Sequence, residues 1–404
     1  MSTKVVAWLW LLVVLVGRPA GAQDAWLPAR SWDPGNRTVL ERWLADVAAR
    51  PASPRKVAVF DCDNTLIFHD CGEATLRFQV DHLRFKLTPA DLAGLLTVDT
   101  VTALASGEAL ADVRADIVAA YGRLWPRILA GEAEQARGSE DHQDFRAKLM
   151  WFYDASDATP QLGPEYAYPL VARLLAGFTA AEVAALARDA MAMALAEAPG
   201  KGEWTSATPG VIGVRKGGFY TGLRAQPEMI DLVTALGRAG VEAFVASASP
   251  EAVVEAALAE LGYPFDAAHV FGIRTVGDAE GRLATRVVPG SEYPFTYRPG
   301  KVELIRKFIQ AEPLLVAGDT FTDYEMLVAF AGTEVRLFVN RNKAKNELVP
   351  LYRDGLEAGD RAPAPGRPRV VLQGRDEPKG GFRPGLTTIP LGATEPRVIE
   401  LPPR

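Results

Sequence analysis

Cysteine and histidine are scarce in this chain. Cys62 and Cys71 are the only thiols among 404 residues, and the four histidines, His69, His82, His142 and His269, are dispersed. Two cysteines cannot build a disulfide framework, and scattered histidines offer no zinc-ligand spacing. A Cys62–Cys71 bond is conceivable, but Cys62 lies between two aspartates and is expected to pack as a small apolar residue. The chain also lacks a G-x-x-x-x-G-K-[ST] nucleotide loop, a G-x-S-x-G serine and an H-E-x-x-H helix, which disfavours those chemistries. Basic excess is missing too: 44 Lys and Arg face 50 Asp and Glu, net −6, with no basic footprint for nucleic acid. No apolar run reaches the roughly twenty residues that a membrane-spanning helix requires.

The apolar run Val5 to Val16 follows Lys4 and precedes Ala20, Gly21 and Ala22, the pattern of a cleavable secretory signal over residues 1–22. No cysteine follows it to carry a lipid anchor. Cleavage after Ala22 removes Lys4 and Arg18 and no acid, leaving 42 basic residues against 50 acidic ones, net −8. The expected destination is a periplasm or the exterior, without a stable membrane anchor. The expected partner is a small molecule, and nothing in the sequence fixes the oligomeric state. With 48% hydrophobic residues, the chain is long enough for two or three domains with a substantial core.

Chemistry is concentrated in Lys56 to Leu66, KVAVFDCDNTL. Val57 to Phe60 reads as a short strand buried on both faces, and ligands of open α/β sheets bind beyond the carboxyl ends of such strands. Asp61 and Asp63, at i and i+2, suit phosphoryl transfer: Asp61 to attack and to hold a divalent cation, Asp63 to donate and recover a proton.

Three further segments have the same form. Val241 to Ala246 follows an amphipathic helix with Met229, Ile230, Val233 and Leu236 on one face, and ends in Ser247, Ala248, Ser249 and Pro250. The Ser247 hydroxyl and the free amides of the turn at Ala248 are candidate donors to phosphoryl oxygens. Pro299 and Gly300 open a helix at Lys301, a cation able to neutralise nucleophile and phosphoryl group; its expected apolar face is Val302, Ile305, Phe308 and Ile309. Pro313 to Ala317 ends in Gly318, Asp319, Thr320, Phe321, Thr322 and Asp323, where Asp319 and Asp323 add oxygen ligands of the kind Mg²⁺ prefers.

In chain order these elements, D-x-D, Ser, Lys and G-D-x-x-x-D, resemble the haloacid dehalogenase superfamily of phosphohydrolases. The resemblance implies a Rossmann-like α/β core, a doubly wound parallel sheet, with an inserted helical cap domain. It implies that Asp61 forms an aspartyl phosphate, Asp63 is the general acid and base, Ser247 binds the phosphoryl group and Lys301 stabilises its charge. It further implies Mg²⁺ on Asp319, the Asp61 carboxylate and the Asp63 carbonyl, with Asp323 either reaching the metal through water or orienting Lys301. The segment Arg341, Asn342, Lys343, Ala344, Lys345, the stretch Leu149 to Asp157 and the A-G-F-T ending of Pro169 to Thr179 look like secreted bacterial phosphorylcholine phosphatases; phosphoserine phosphatases are the broader neighbours. The implied activity is phosphomonoester hydrolysis, with phosphorylcholine leading and phosphoserine or broad acid phosphatase activity as alternatives. A catalytically silent phosphoester binder is the alternative of another class.

The expected organisation is core over 23–66 and 211–359, cap over 67–210, and a Pro- and Gly-rich tail over 360–404 lying on the core or partly disordered. Within the cap, Trp151, Phe152 and Tyr153 are candidates for an aromatic cage around a quaternary ammonium, with Asp154 or Asp157 as counter-charge. Tyr293, Phe295 and Tyr297 are the second choice. Glu73, in the stretch His69 to Glu73, is a possible contact for a substrate amine.

Overall fold

The computed structural model describes residues 25–343, 345–359 and 361–403; the expected signal over 1–22 and Ala344 lie outside them. Six apolar runs form a central sheet: β1 (Val57–Phe60), β2 (Glu242–Pro250), β3 (Val270–Ile273), β4 (Leu315–Gly318), β5 (Val335–Val339) and β6 (Arg369–Gln373). Their order is β3-β2-β1-β4-β5-β6, and every pairing is parallel. Ala58 lies between Ala243 of β2 and Leu315 of β4. The chain winds outward from β1 to β3, then crosses back to begin again at β4, so a crevice opens between β1 and β4 where the winding reverses. This is the doubly wound α/β sheet that the resemblance implied.

Both faces of the sheet are covered, which explains why its strands read as nearly continuous apolar runs. Ala58, Phe60, Leu315 and Leu337 pack in one layer with Leu40, Trp43 and Leu44 of the helix Pro34–Ala49 and Met229 and Leu232 of the helix Pro227–Arg238. Val57, Val59, Val316 and Phe338 pack in the other with Val302, Ile305, Met326 and Leu351. The helix Pro34–Ala49 starts where Pro34 presets the first turn and the Asp33 side chain accepts the Asn36 N–H. The expected apolar face after Lys301 needs one correction: Phe308 is 38% exposed. The last turn, Ile305–Ile309, widens so that Gln310 N–H bonds Ile305 O, and the added residue shifts the helical phase.

A second apolar cluster joins the helices Cys71–Asp81, Leu110–Leu129, Glu140–Asp157 and Gly163–Arg173. Its extent differs from 67–210 in two places. The antiparallel hairpin Gly200–Thr205 and Lys216–Thr221 lays Trp204 and Phe219 against this cluster, carrying the unit to Thr221. Conversely, Val183, Leu186 and Ala190 of the helix Ala180–Ala196 pack with the core cluster. The tail expectation is also corrected. Residues 369–373, RVVLQ, form β6, all five buried, and pair with β5 from Val335↔Arg369 to Val339↔Gln373. Five residues between Pro- and Gly-rich stretches suffice for an edge strand once β5 offers its free edge.

Candidate active site

The Asp61 N–H donates to Ala317 O at 2.9 Å, extending the β1–β4 pairing by one residue and fixing Asp61 where the winding reverses. Its Oδ1 accepts from Lys301 Nζ at 2.6 Å and its Oδ2 from Thr65 Oγ1 at 3.0 Å. Lys301 also donates to Asp323 Oδ1 at 2.7 Å. Asp323 Oδ2 accepts the Asp319 N–H at 3.0 Å. Gly318 permits that approach through space: a Cβ there would lie 2.5 Å from Asp323 Cβ.

Charge in this corner is nearly sealed from water. Burial works against the Lys301 ammonium, yet the Asp323 and Asp61 charges more than offset it and raise its pKa. Burial, then the Asp323 charge, push Asp61 well above the usual carboxylate range, with Lys301 opposing. Asp323 is raised chiefly by burial, again against Lys301. Asp319 Oδ2 accepts from Arg341 Nη1 at 2.6 Å.

Asp61, Asp319 and Asp323 each bring a carboxylate oxygen within 4.8 Å of the others. With Asp63 nearby, four carboxylates face, among the described residues, Lys301 and Arg341 as their close cation partners. Hard oxygen donors with uncompensated buried charge fit a divalent cation of the Mg²⁺ type. The Asp63 carboxylate is not part of this cluster. Its Oδ1 accepts the Cys71 N–H at 2.8 Å, and its Oδ2 accepts from Ser247 Oγ at 3.1 Å and Ser249 Oγ at 2.8 Å. Asp323 has one oxygen on Lys301 and the other on backbone N–H, so its engaged contacts orient the lysine.

A cavity of about 330 Å³ opens over these groups. Asp61, Asp63, Lys301, Asp319, Ala248 and Ser249 line it, but Ser247 does not. The Ser247 side chain is buried behind the turn, accepting the Ser249 N–H at 3.0 Å while donating to Asp63. The structure thus places the Ser247 hydroxyl, expected to bind the phosphoryl group, on Asp63 behind the cavity wall, while Ser249, which donates to the same carboxylate, lines the cavity.

The solved structures supply one comparison of weight. Neither a protein-family profile nor a curated protein matches the chain. A conserved, functionally unknown protein from Anaerococcus prevotii DSM 20548 is similar in crystal structure, with 25% identity and TM-score 0.79 over 90% of this chain and 98% of that one. The fold has a solved counterpart. A protein of unknown function from Bordetella pertussis Tohama I gives 16% identity and TM-score 0.42, covering 78% of this chain and 98% of that one. A phosphoserine phosphohydrolase-like protein from Francisella tularensis subsp. tularensis SCHU S4 gives 12% and 0.30, covering 73% and 92%. These two likenesses are too slight to build on.

The walls of the cavity differ in sign. Arg341, Lys343 and Lys345, beyond the carboxyl end of β5, line one side. Asp70, Glu73, Tyr153, Tyr168 and Tyr220 line another. A second cavity of about 630 Å³ shares Asp70, Glu73, Tyr153 and Tyr220 and adds Asp154. Burial, the Asp154 charge and the Asp63 charge push Glu73 up to about 7; burial and Asp157 push Asp154 to about 6.

Of the three consecutive aromatics, Tyr153 alone lines these two cavities. Phe152 is buried against Tyr166, ring centroids 6.0 Å apart, and Trp151 lies against the Arg215 guanidinium at 4.7 Å. Successive helical residues point about 100° apart, so one helix cannot turn all three inward. Tyr293 donates its hydroxyl to Glu251 Oε2 at 3.0 Å, and Tyr297 packs edge-on behind Tyr168, centroids 5.7 Å apart. Cys62 and Cys71 are both buried free thiols. Sequence reasoning missed Tyr168 and Tyr220, which carry no local signal; the cations after β5 had one, being placed just past a strand end.

Proposed function

We propose that the protein is a phosphomonoester hydrolase of the haloacid dehalogenase type, using Mg²⁺ and a covalent aspartyl phosphate. The observation that carries this reading is the convergence, at the reversal between β1 and β4, of Asp61 on Lys301, Lys301 on Asp323, and Asp319 beside both carboxylates.

In the first step an Asp61 carboxylate oxygen bonds to phosphorus as the ester P–O bond breaks, and the Asp63 carboxyl gives its proton to the departing alkoxide. In the second, Asp63 takes a proton from water, whose oxygen bonds to phosphorus as the Asp61 acyl phosphate opens, releasing phosphate and restoring both aspartates. Lys301 neutralises charge shared by Asp61 and the equatorial phosphoryl oxygens, and Asp323 holds Lys301 in place. Bound Mg²⁺, with Asp61 and Asp319 among its ligands, would supply further charge neutralisation to those oxygens. Thr65 keeps the Asp61 carboxylate oriented.

The finer reading is an exported enzyme acting on phosphorylcholine. The cationic wall suits the phosphoryl end, and Glu73, Asp154 and Tyr153 suit an ammonium head. The test is phosphate release from phosphorylcholine, phosphoserine, phosphoethanolamine and p-nitrophenyl phosphate, with Mg²⁺ and with chelator. Chelator-sensitive release that disappears in Asp61→Asn supports the enzyme. A folded protein that binds phosphoesters without turnover would make it a silent binder.

A further inference from the structure

Arg375 lies far from every motif that carries the chemistry, two residues past β6. It is nonetheless one of the largest fully buried side chains, 1% exposed. Its Nη1 donates to two oxygens of one residue, Asn64 Oδ1 at 3.2 Å and Asn64 O at 3.4 Å. Its guanidinium lies over the Phe68 ring, 4.5 Å from the centroid. Its nearest carboxylate, Glu377, is 3.6 Å away, and its Nε has no hydrogen-bond partner. A buried cation held mainly by neutral oxygens and a ring is costly.

Asn64 directly follows Asp63. It has φ +64°, and His69, at the far end of the same loop, has φ +66°. Such left-handed backbone is strained for residues other than glycine, though Asn and His tolerate it better than most. The Asn64 N–H donates to His69 O at 3.0 Å, closing residues 64–69 into a hook, and Cys71 N–H beyond it holds Asp63 Oδ1. Arg375 grips both ends: Asn64 by hydrogen bonds and Phe68, beside His69, by its guanidinium plane. Asp61 is fixed independently by its backbone bond to Ala317 on the sheet.

We propose that Arg375 is a positioning residue that braces the 64–69 hook and so aims the Asp63 carboxyl at the leaving group. The segment after β6 thereby completes the active site. The kinetic consequence rests on the phosphatase reading above; the brace itself does not.

The test uses the full-length chain with Mg²⁺ and the variants Arg375→Met and Arg375→Lys. Two quantities are read: hydrogen–deuterium exchange of the 61–71 amides, and kcat/KM, which reads the step that expels the leaving group, on phosphorylcholine against p-nitrophenyl phosphate, whose phenolate leaves without a proton. In Arg375→Met the hook amides exchange faster than in the parent, and kcat/KM on phosphorylcholine falls about tenfold or more beyond any fall on p-nitrophenyl phosphate. Arg375→Lys lies between. A merely structural role would lower both substrates alike. Equal losses on the two substrates, or unchanged hook exchange in a folded variant, would overturn the proposal. Where Arg375→Met does not fold, Asn64→Gly keeps the left-handed backbone while removing the Oδ1 acceptor; the same split is expected, and its absence is contrary evidence. Should the parent release no phosphate, the functional reading fails, while the exchange data still decide the brace.

Discussion

Lys301 and Asp323 form an ion pair at 2.7 Å in which neither side chain is more than 1% exposed. Removing Asp323 leaves the buried Lys301 ammonium with Asp61 as its remaining carboxylate, and breaking such buried pairs costs about 3–5 kcal/mol. Asp323→Asn is therefore expected to lose about 3 kcal/mol of stability in urea unfolding. Because Lys301 also serves Asp61, kcat should fall by about a hundredfold. A variant with full activity would remove Asp323 from the account.

A general acid at Asp63, as proposed, matters only where a leaving group needs a proton. Asp63→Asn should lower kcat/KM, which reads the step that expels the leaving group, on phosphorylcholine by about 10²–10⁴-fold and on p-nitrophenyl phosphate by much less, while kcat falls on both because hydrolysis of the shared aspartyl phosphate loses its base. Steady-state kinetics on the two esters read this directly, and equal losses in kcat/KM would argue against proton donation by Asp63.

Tyr153, Phe152 and Trp151 are adjacent in sequence but separable in effect. Tyr153→Ala should raise KM for an ammonium-bearing ester, since its ring lines both cavities. Phe152→Ala should instead cost about 3–5 kcal/mol of stability, as buried aromatic truncations do. Trp151→Ala removes a stacking partner of Arg215 and should leave KM unchanged. Thermal melts together with KM values separate the three.

Glu73 gives a pH signature. Its folded pKa is raised from 4.5 to about 7 by burial and by the Asp154 and Asp63 charges, so the folded state holds a proton that the unfolded chain has released. Its contribution to stability is present below about pH 4.5 and is lost as pH rises through about 7. Glu73→Gln should therefore gain in melting temperature relative to the parent between about pH 5 and pH 8. Over the same range the parent's KM for phosphorylcholine should fall as Glu73 becomes charged, while that of Glu73→Gln stays flat. Parallel pH profiles would place the amine elsewhere.

The sheet was legible because β1, β2 and β4 are apolar runs ending abruptly in Asp, Ser or Gly-Asp, and a parallel sheet buried on both faces leaves that signature. The grouping of Asp61, Lys301, Asp319 and Asp323 followed from their places at strand ends and at the start of the helix Pro299–Leu304. Ser247 shows the limit of such reading: it lies within one residue of the cavity wall, yet it faces Asp63, a distinction set by rotamer and turn geometry. RVVLQ went unread as β6 because a five-residue edge strand is defined by its neighbour, and its flanks are rich in Pro and Gly. Arg375 was invisible for a related reason. Its partners, Asn64 and Phe68, lie more than three hundred positions away in the chain.

The central claim is that Asp61 carries the phosphoryl group. Acid-quenched protein, sampled during turnover and mapped by mass spectrometry, should carry one hydroxylamine-labile phosphoryl group on Asp61, absent from Asp61→Asn. Turnover by Asp61→Asn, or phosphate release from the parent with phosphorylation at some other residue, would contradict the account.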